Sequence, residues 1–116
     1  MIAESDYRTI TYFGNGRALD ILWDAWQGSE TQSFDQRREI FLWTLERLLK
    51  EGRIKLHKNG VFLESSIEDQ IKAFRNAWPT SIKNSGYEDF YWWFFDTECP
   101  AGIAWQRDDG SYEMAD

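Results

Sequence analysis

Cys99 is the only cysteine in the chain and therefore the only candidate thiol nucleophile. A nucleophilic cysteine needs a neighbouring base or a positive field that stabilises its thiolate. The carboxylates of Asp96 and Glu98 flank Cys99 instead and would disfavour the thiolate. A single cysteine also excludes an intrachain disulfide, which agrees with a reducing compartment. We expect no catalytic role for this residue.

His57 is the only histidine, so a metal site with several histidines is excluded. It lies between the basic residues Lys55 and Lys58, and we expect its side chain to face solvent. Asp108 and Asp109 form a carboxylate pair, but an Asp-Asp-Gly turn explains both without EF-hand spacing around them. The sequence has no glycine-rich phosphate loop and no GxSxG or CxxC motif. It therefore predicts a protein without a catalytic residue, a cofactor or a bound metal.

The charge of the chain is concentrated near its end. Residues 1–87 contain twelve acidic and twelve basic residues, so the formal net charge of −7 arises within residues 88–116. That segment has eight acidic residues and a single base, Arg107. An acidic field attracts cationic partners and repels nucleic acid and anionic membranes. We therefore expect a basic protein as the partner, and neither nucleic acid nor a membrane.

The same segment contains six consecutive aromatic residues, Phe90–Phe95. On a helix they would cover every side, whereas on a strand they would alternate between the two faces of a sheet. We predict a central strand over 90–96. If the chain leaves one of its faces uncovered, aromatic anchors and a rim of acids would form a partner-binding surface. The predicted partner-binding residues are Trp93, Phe95, Asp96, Glu98, Trp105, Asp108, Asp109 and Glu113.

The remaining pattern predicts helices first and most strands later. Ser33 with Gln36 forms a capping box before a long helix, and Ser66 caps another helix. Asn59–Gly60 predicts a type I′ hairpin that pairs Lys58 with Val61. Two short strands, GIAWQR and SYEM, follow the aromatic run. The expected class is α+β: N-terminal helices packed on a small antiparallel sheet, with an additional β-hairpin between helices.

Length and hydropathy favour one compact domain over 1–116. The longest apolar run is far shorter than the roughly 20 residues of a membrane span. The first residues also lack the basic and apolar regions of a secretory signal, so we expect a cytoplasmic protein.

Three segments resemble a family of small bacterial proteins catalogued as a domain of unknown function, number 596. They are FLWTLERLLKEGRIKL (41–56), KNGVFLE leading into SSIEDQIKAFRNAWP (58–79), and WWFF followed by CPAGIAW (92–105). The resemblance extends over roughly 5–112 and implies a compact bacterial α+β domain. That family has no catalytic motif, so the resemblance assigns no catalytic residue. Small acidic proteins of this kind are similar in role to immunity proteins, which bind the C-terminal domain of a toxin encoded beside them.

The sequence thus predicts a non-enzymatic acidic binding protein, an immunity protein that neutralises a cationic toxin domain such as a nuclease. Two alternatives stay open. The hairpin with Arg53, Lys55 and Lys58 also fits the wing of a winged-helix, nucleic-acid-associated regulator, although a DNA interface neutralises about 6 to 10 phosphates. A small enzyme with an unrecognised site is the other. Neither the toxin's activity nor the oligomeric state follows from the sequence.

Overall fold

A computed structural model describes residues 2–25, 33–79, 93–95 and 98–115. These residues form four helices, α1 (Glu4–Gly14), α2 (Leu19–Asp24), α3 (Phe34–Lys50) and α4 (Ile67–Ala77). They also form four strands, β1 (Ile54–Lys58), β2 (Val61–Phe62), β3 (Gly102–Gln106) and β4 (Tyr112–Met114). Within the described ranges, no helix has the length and apolar character that a membrane crossing requires.

The two predicted caps are present at the helix starts. The Ser33 side chain accepts a hydrogen bond from the Gln36 backbone N–H, and the Gln36 side chain accepts one from the Ser33 N–H. Ser66 likewise accepts from the Asp69 N–H at the start of α4. Each cap satisfies a backbone donor that has no partner inside the helix, which stabilises a helix by about 1 kcal/mol.

The strands form one antiparallel sheet in the order β2-β1-β3-β4. Asn59 and Gly60 both have positive φ and close the hairpin between β1 and β2, with Lys58 opposite Val61 as predicted. Ile54 and Leu56 of β1 pair with Trp105 and Ile103 of β3, and these four side chains are buried in the same core as the helices. The α+β class is confirmed, and the hairpin is one edge of the main sheet.

The prediction of a central aromatic strand is wrong for the residues that the structure describes. Trp93 is helical and Phe94 and Phe95 form a turn, while the inner strands of the sheet are β1 and β3. Trp93 and Phe94 are both buried. The rest of the predicted strand, 90–92 and Asp96, lies outside the described residues.

Aromatic packing explains why this segment is buried without being a strand. The Trp93 ring lies 5.2 Å from that of Trp78 at the end of α4, and the Phe94 ring lies 5.6 Å from that of Phe41 in α3. Trp23 of α2 contacts Phe41 and Phe94 in the same cluster. Tilted and edge-to-face pairs of this kind add about 0.5–1.5 kcal/mol beyond area burial. The segment therefore joins three helices.

A second cluster ties α1 to the C-terminal half of α3. Arg47 forms a two-bond ion pair with Glu4, at 2.7 Å for each bond, and also binds Glu51 at 2.9 Å. Its guanidinium lies 3.7 Å from the centroid of the Tyr7 ring. Tyr7 donates to Glu51 at 2.8 Å, and burial together with this bond raises the pKa of Tyr7 to about 12. The phenol therefore remains a donor over the physiological range.

The aromatic turn provides a stability test with an internal control. Trp93→Ala should reduce the free energy of unfolding by roughly 3–5 kcal/mol, because it leaves a cavity among packed rings. Phe95→Ala, at a side chain that is 55% exposed, should change it by no more than about 0.5 kcal/mol. Urea titration at pH 7 measures both values. Equal losses for the two variants would contradict the burial seen here.

The Arg47 cluster should make stability depend on pH. Hydrogen bonds from Arg47 hold the pKa values of Glu4 and Glu51 below their ordinary range. A carboxylate with a depressed pKa in the folded state stabilises the fold above its unfolded pKa, and this contribution disappears as the pH falls through the folded value. Stability should therefore fall between about pH 5 and pH 3.

Arg47→Gln should lower the stability at pH 7 and make that acid-side fall shallower. Lys72→Gln, at an exposed lysine without an ion pair in the described part of the chain, should follow the wild type. Urea titrations at pH 7, 5 and 3 test this. Parallel pH curves for the wild type and Arg47→Gln would show that Arg47 does not lower the two pKa values.

Candidate partner-binding surface

The structure separates the predicted partner-binding residues by burial. Trp93 and Trp105 are 6% and 4% exposed, so neither is available as a surface anchor. Trp105 lies on the core face of β3 and donates its indole N–H to the Arg17 carbonyl at 2.8 Å. Phe95 is the one predicted aromatic anchor that the structure leaves exposed. Asp96 lies outside the described residues.

The predicted acids are all exposed where they are described, but they do not form one surface. Glu98 precedes β3, whereas Asp108 and Asp109 follow it. The five residues of β3 span roughly 13 Å at the usual rise of a strand. Glu98 therefore lies with Phe95 at one end of the sheet, and the other acids lie at the opposite end.

The acids at the far end belong to the tight turn between β3 and β4. Asp109 accepts hydrogen bonds from the Ser111 hydroxyl at 2.6 Å and from the Ser111 N–H at 2.9 Å. These bonds lower the pKa of Asp109 below its ordinary value, with the hydroxyl bond as the largest cause. Gly110 adopts a φ of 89°, which favours glycine. Asp109 is thus part of the turn's framework as well as a surface charge.

Asp108 carries the least compensated charge of this turn. The one base of the segment, Arg107, pairs with Glu113 at 3.3 Å, and both side chains are more than half exposed. Within the described ranges, Asp108 has no ion pair. Exposed pairs such as Arg107–Glu113 add at most about 1 kcal/mol. The β3–β4 turn and β4 therefore present Asp108, Asp109 and Glu113 to solvent, and the nearby base, Arg107, forms only the exposed pair with Glu113. We call these three residues the acidic edge.

Several acids on or next to α1 and α3 are neutralised within the protein. Glu4 and Glu51 bind Arg47, Glu39 binds Arg38 and Arg75, and Glu46 binds Lys50. The Glu46–Lys50 and Arg47–Glu51 pairs follow from i,i+4 spacing and are readable from the sequence, but the pairs that join two helices are not. These paired acids stabilise the fold, whereas those of the acidic edge are directed to solvent.

At the other end of the sheet, Phe95 borders a shallow depression of about 290 Å³ beside the β1–β2 turn. Lys58 donates to the Cys99 carbonyl at 2.9 Å and so joins the hairpin to the segment before β3. His57 and Cys99 also line the depression. Phe95 therefore lies exposed beside the end of the hairpin, which the Lys58 bond holds to the segment before β3.

The expectation of a solvent-facing His57 is wrong, since its side chain is 7% exposed. It lies on β1, opposite Phe62 of β2 and Gly102 of β3, and lines the depression together with Phe94 and Cys99 of the segment before β3. Cys99 is also buried, and its thiol donates to the Ala101 carbonyl at 3.4 Å. In the described part of the chain, no three His, Cys, Asp or Glu residues are placed to hold a metal.

Comparisons with known proteins agree with this architecture. The chain resembles the solved structure of an uncharacterised protein conserved in bacteria, from Neisseria meningitidis, with 28% identity and a TM-score of 0.76. The likeness covers 94% of this chain and 83% of that one. No curated protein matches the sequence. The model of the family described as "Protein of unknown function, DUF596" matches residues 49–114, from the end of α3 to the end of β4. Because this match covers more than half of the chain, the protein belongs to the DUF596 family.

Proposed function

We propose that this protein is a non-enzymatic binding protein that neutralises a cationic toxin domain, in the manner of an immunity protein. The observation that carries the proposal is the contrast between the two sets of acids. Glu4 and Glu39 on the helices are paired inside the protein, whereas Asp108, Asp109 and Glu113 face solvent around one base, Arg107. An arrangement of this kind supplies a directed field for a basic partner.

A nuclease is the toxin class that this field fits best. Nuclease active sites are positive because they hold phosphates, and an acidic surface can cover such a site. The exposed Phe95, with Glu98 nearby, offers an aromatic anchor of the kind enriched at interface centres. A cytoplasmic location is part of the proposal, because the nucleic acid that such a toxin attacks is found there.

The winged-helix alternative is less well supported by the contacts of the basic residues. Lys58 binds the Cys99 carbonyl. The β1–β2 hairpin is also an edge of the main sheet and does not project from it. Arg53 and Lys55 would be left for phosphate contacts, far fewer than the about 6 to 10 phosphates that a DNA interface neutralises.

Charge reversal at the acidic edge tests the proposed function. Asp108→Lys with Glu113→Lys should slow association with the toxin domain encoded beside this gene by at least about tenfold at low salt. Wild-type association should itself slow as salt shortens the Debye length from roughly 10 Å at 0.1 M to 3 Å at 1 M. Stopped-flow binding across this range measures both effects.

The matched control is Asp6→Lys with Glu68→Lys, which changes the net charge equally on the first turns of α1 and α4. Glu39, Glu46 and Glu51 are unsuitable controls, because their reversal would break ion pairs that hold the fold. If the control pair slows association as much as the acidic-edge pair does, only net charge matters. If neither pair changes binding, the acidic edge is not the contact surface.

Nucleic-acid binding separates the proposal from the regulatory alternative. The isolated protein should show no mobility shift of duplex DNA near physiological salt, where non-specific binders reach dissociation constants of about 10⁻⁴ to 10⁻⁶ M. Arg53→Gln should be indistinguishable from the wild type in that assay. A clear shift that Arg53→Gln removes would favour the winged-helix reading.

A further inference from the structure

A groove of about 550 Å³ opens between α3, β1 and the start of α4. This volume is within the range of about 300–1,000 Å³ that is typical of ligand sites. The groove forms because β2 is short and ends at Phe62. The Leu63 N–H still donates to the Leu56 carbonyl, but after this bond the chain turns away from β1 towards α4. Its apolar lining includes Leu49, Ile54, Leu56, Leu63 and Ile67.

The turning of the chain leaves part of β1 without a neighbouring strand. The Arg53 carbonyl accepts from Gln106 of β3, so by alternation the N–H and C=O of Ile54 point to the opposite side, towards the groove. Leu56 meets Leu63 on that side, but Ile54 has no strand opposite it among the described residues. Main-chain groups at this position suit an extended peptide.

Lys55 supplies a cation at the mouth of the groove. Its ammonium lies 5.1 Å from the centroid of the Phe62 ring and 4.6 Å from that of Tyr112. The Tyr112 hydroxyl donates to the Gly52 carbonyl at 2.7 Å, which fixes that ring. In the part of the chain that the structure describes, Lys55 forms no ion pair, so its charge is available to an anion.

Gln70 supplies the second polar group of the groove and is only 7% exposed. Its amide nitrogen donates to the Ser65 carbonyl at 2.7 Å, which orients the side chain. The amide oxygen is buried and has no hydrogen-bond partner within the described residues. A buried acceptor without a donor is costly, so an N–H group from a ligand would be favourable there.

We propose that the groove binds the C-terminal end of a polypeptide that finishes in apolar residues. The terminal carboxylate would meet Lys55, a main-chain N–H would donate to the oxygen of Gln70, and the apolar side chains would lie on the leucine and isoleucine floor. Glu64 also lines the groove and repels a carboxylate, which directs the terminus towards Lys55. None of the acidic-edge residues lines the groove, and the site stands or falls independently of the proposed function.

The test uses N-acetyl-Leu-Leu with a free carboxylate and the same peptide as its C-terminal amide. Methyl NMR titration of the full chain should show shifts for Ile54, Leu56, Leu63 and Ile67 with the acid. The amide should bind roughly tenfold more weakly, because it lacks the charge-assisted contact. Equal affinities for the two peptides would overturn the assignment of a chain terminus, and no shifts with millimolar acid would overturn the site.

Variants then assign the two polar contacts. Lys55→Met keeps an apolar side chain against the Phe62 and Tyr112 rings but removes the charge. It should therefore remove the difference in affinity between the acid and the amide peptides. Gln70→Leu should weaken the binding of both peptides roughly equally. A Tm measurement shows whether this variant is folded. Lys72→Met, at an exposed lysine on α4 outside the groove lining, is the matched control and should bind like the wild type. A Lys55→Met variant that still prefers the acid by tenfold would contradict the role of Lys55.

Discussion

The pairing of β1 with β3 is the constraint on which the rest of the described structure depends. It joins strands about half the chain apart and places Ile54, Leu56, Ile103 and Trp105 on one face, against the helices. Closing so long a loop costs conformational entropy, which only the burial of this shared face offsets. The indole bond from Trp105 to the Arg17 carbonyl then fixes the sheet against the connection between α1 and α2.

Both surfaces discussed here follow from that pairing. β3 ends in the turn that presents the acidic edge, and β1 forms the wall of the groove where β2 turns away. The two surfaces differ in physical character. As proposed binding sites, the exposed acidic edge would act through long-range attraction, whereas the more apolar groove would act through burial and a few directed polar groups. One scaffold can therefore hold two contacts of different chemistry.

Local patterns predicted much of the fold. The capping box at Ser33, the cap at Ser66 and the Asn59–Gly60 turn were all readable, because each depends on residues only a few positions apart. The aromatic run misled the prediction for Trp93 to Phe95, because a continuous apolar segment has no period that distinguishes a strand from a buried turn. For His57, two basic neighbours suggested exposure, but its side chain is buried where the segment before β3 lies beside the end of the hairpin.

The sequence by itself determined the α+β class and the excess of acids after residue 87. It also predicted that Asp108, Asp109 and Glu113 are exposed, because turn chemistry depends on residues close together in the chain. Only the tertiary structure decided which acids keep an uncompensated charge, because the ion pairs of Glu4 and Glu39 join separate helices. It also decided that Trp93 and Trp105 are core residues, that Glu98 lies apart from Asp108, and that Lys55 and Gln70 line one groove. Each of these depends on contacts between residues distant in the chain, which no local spacing encodes.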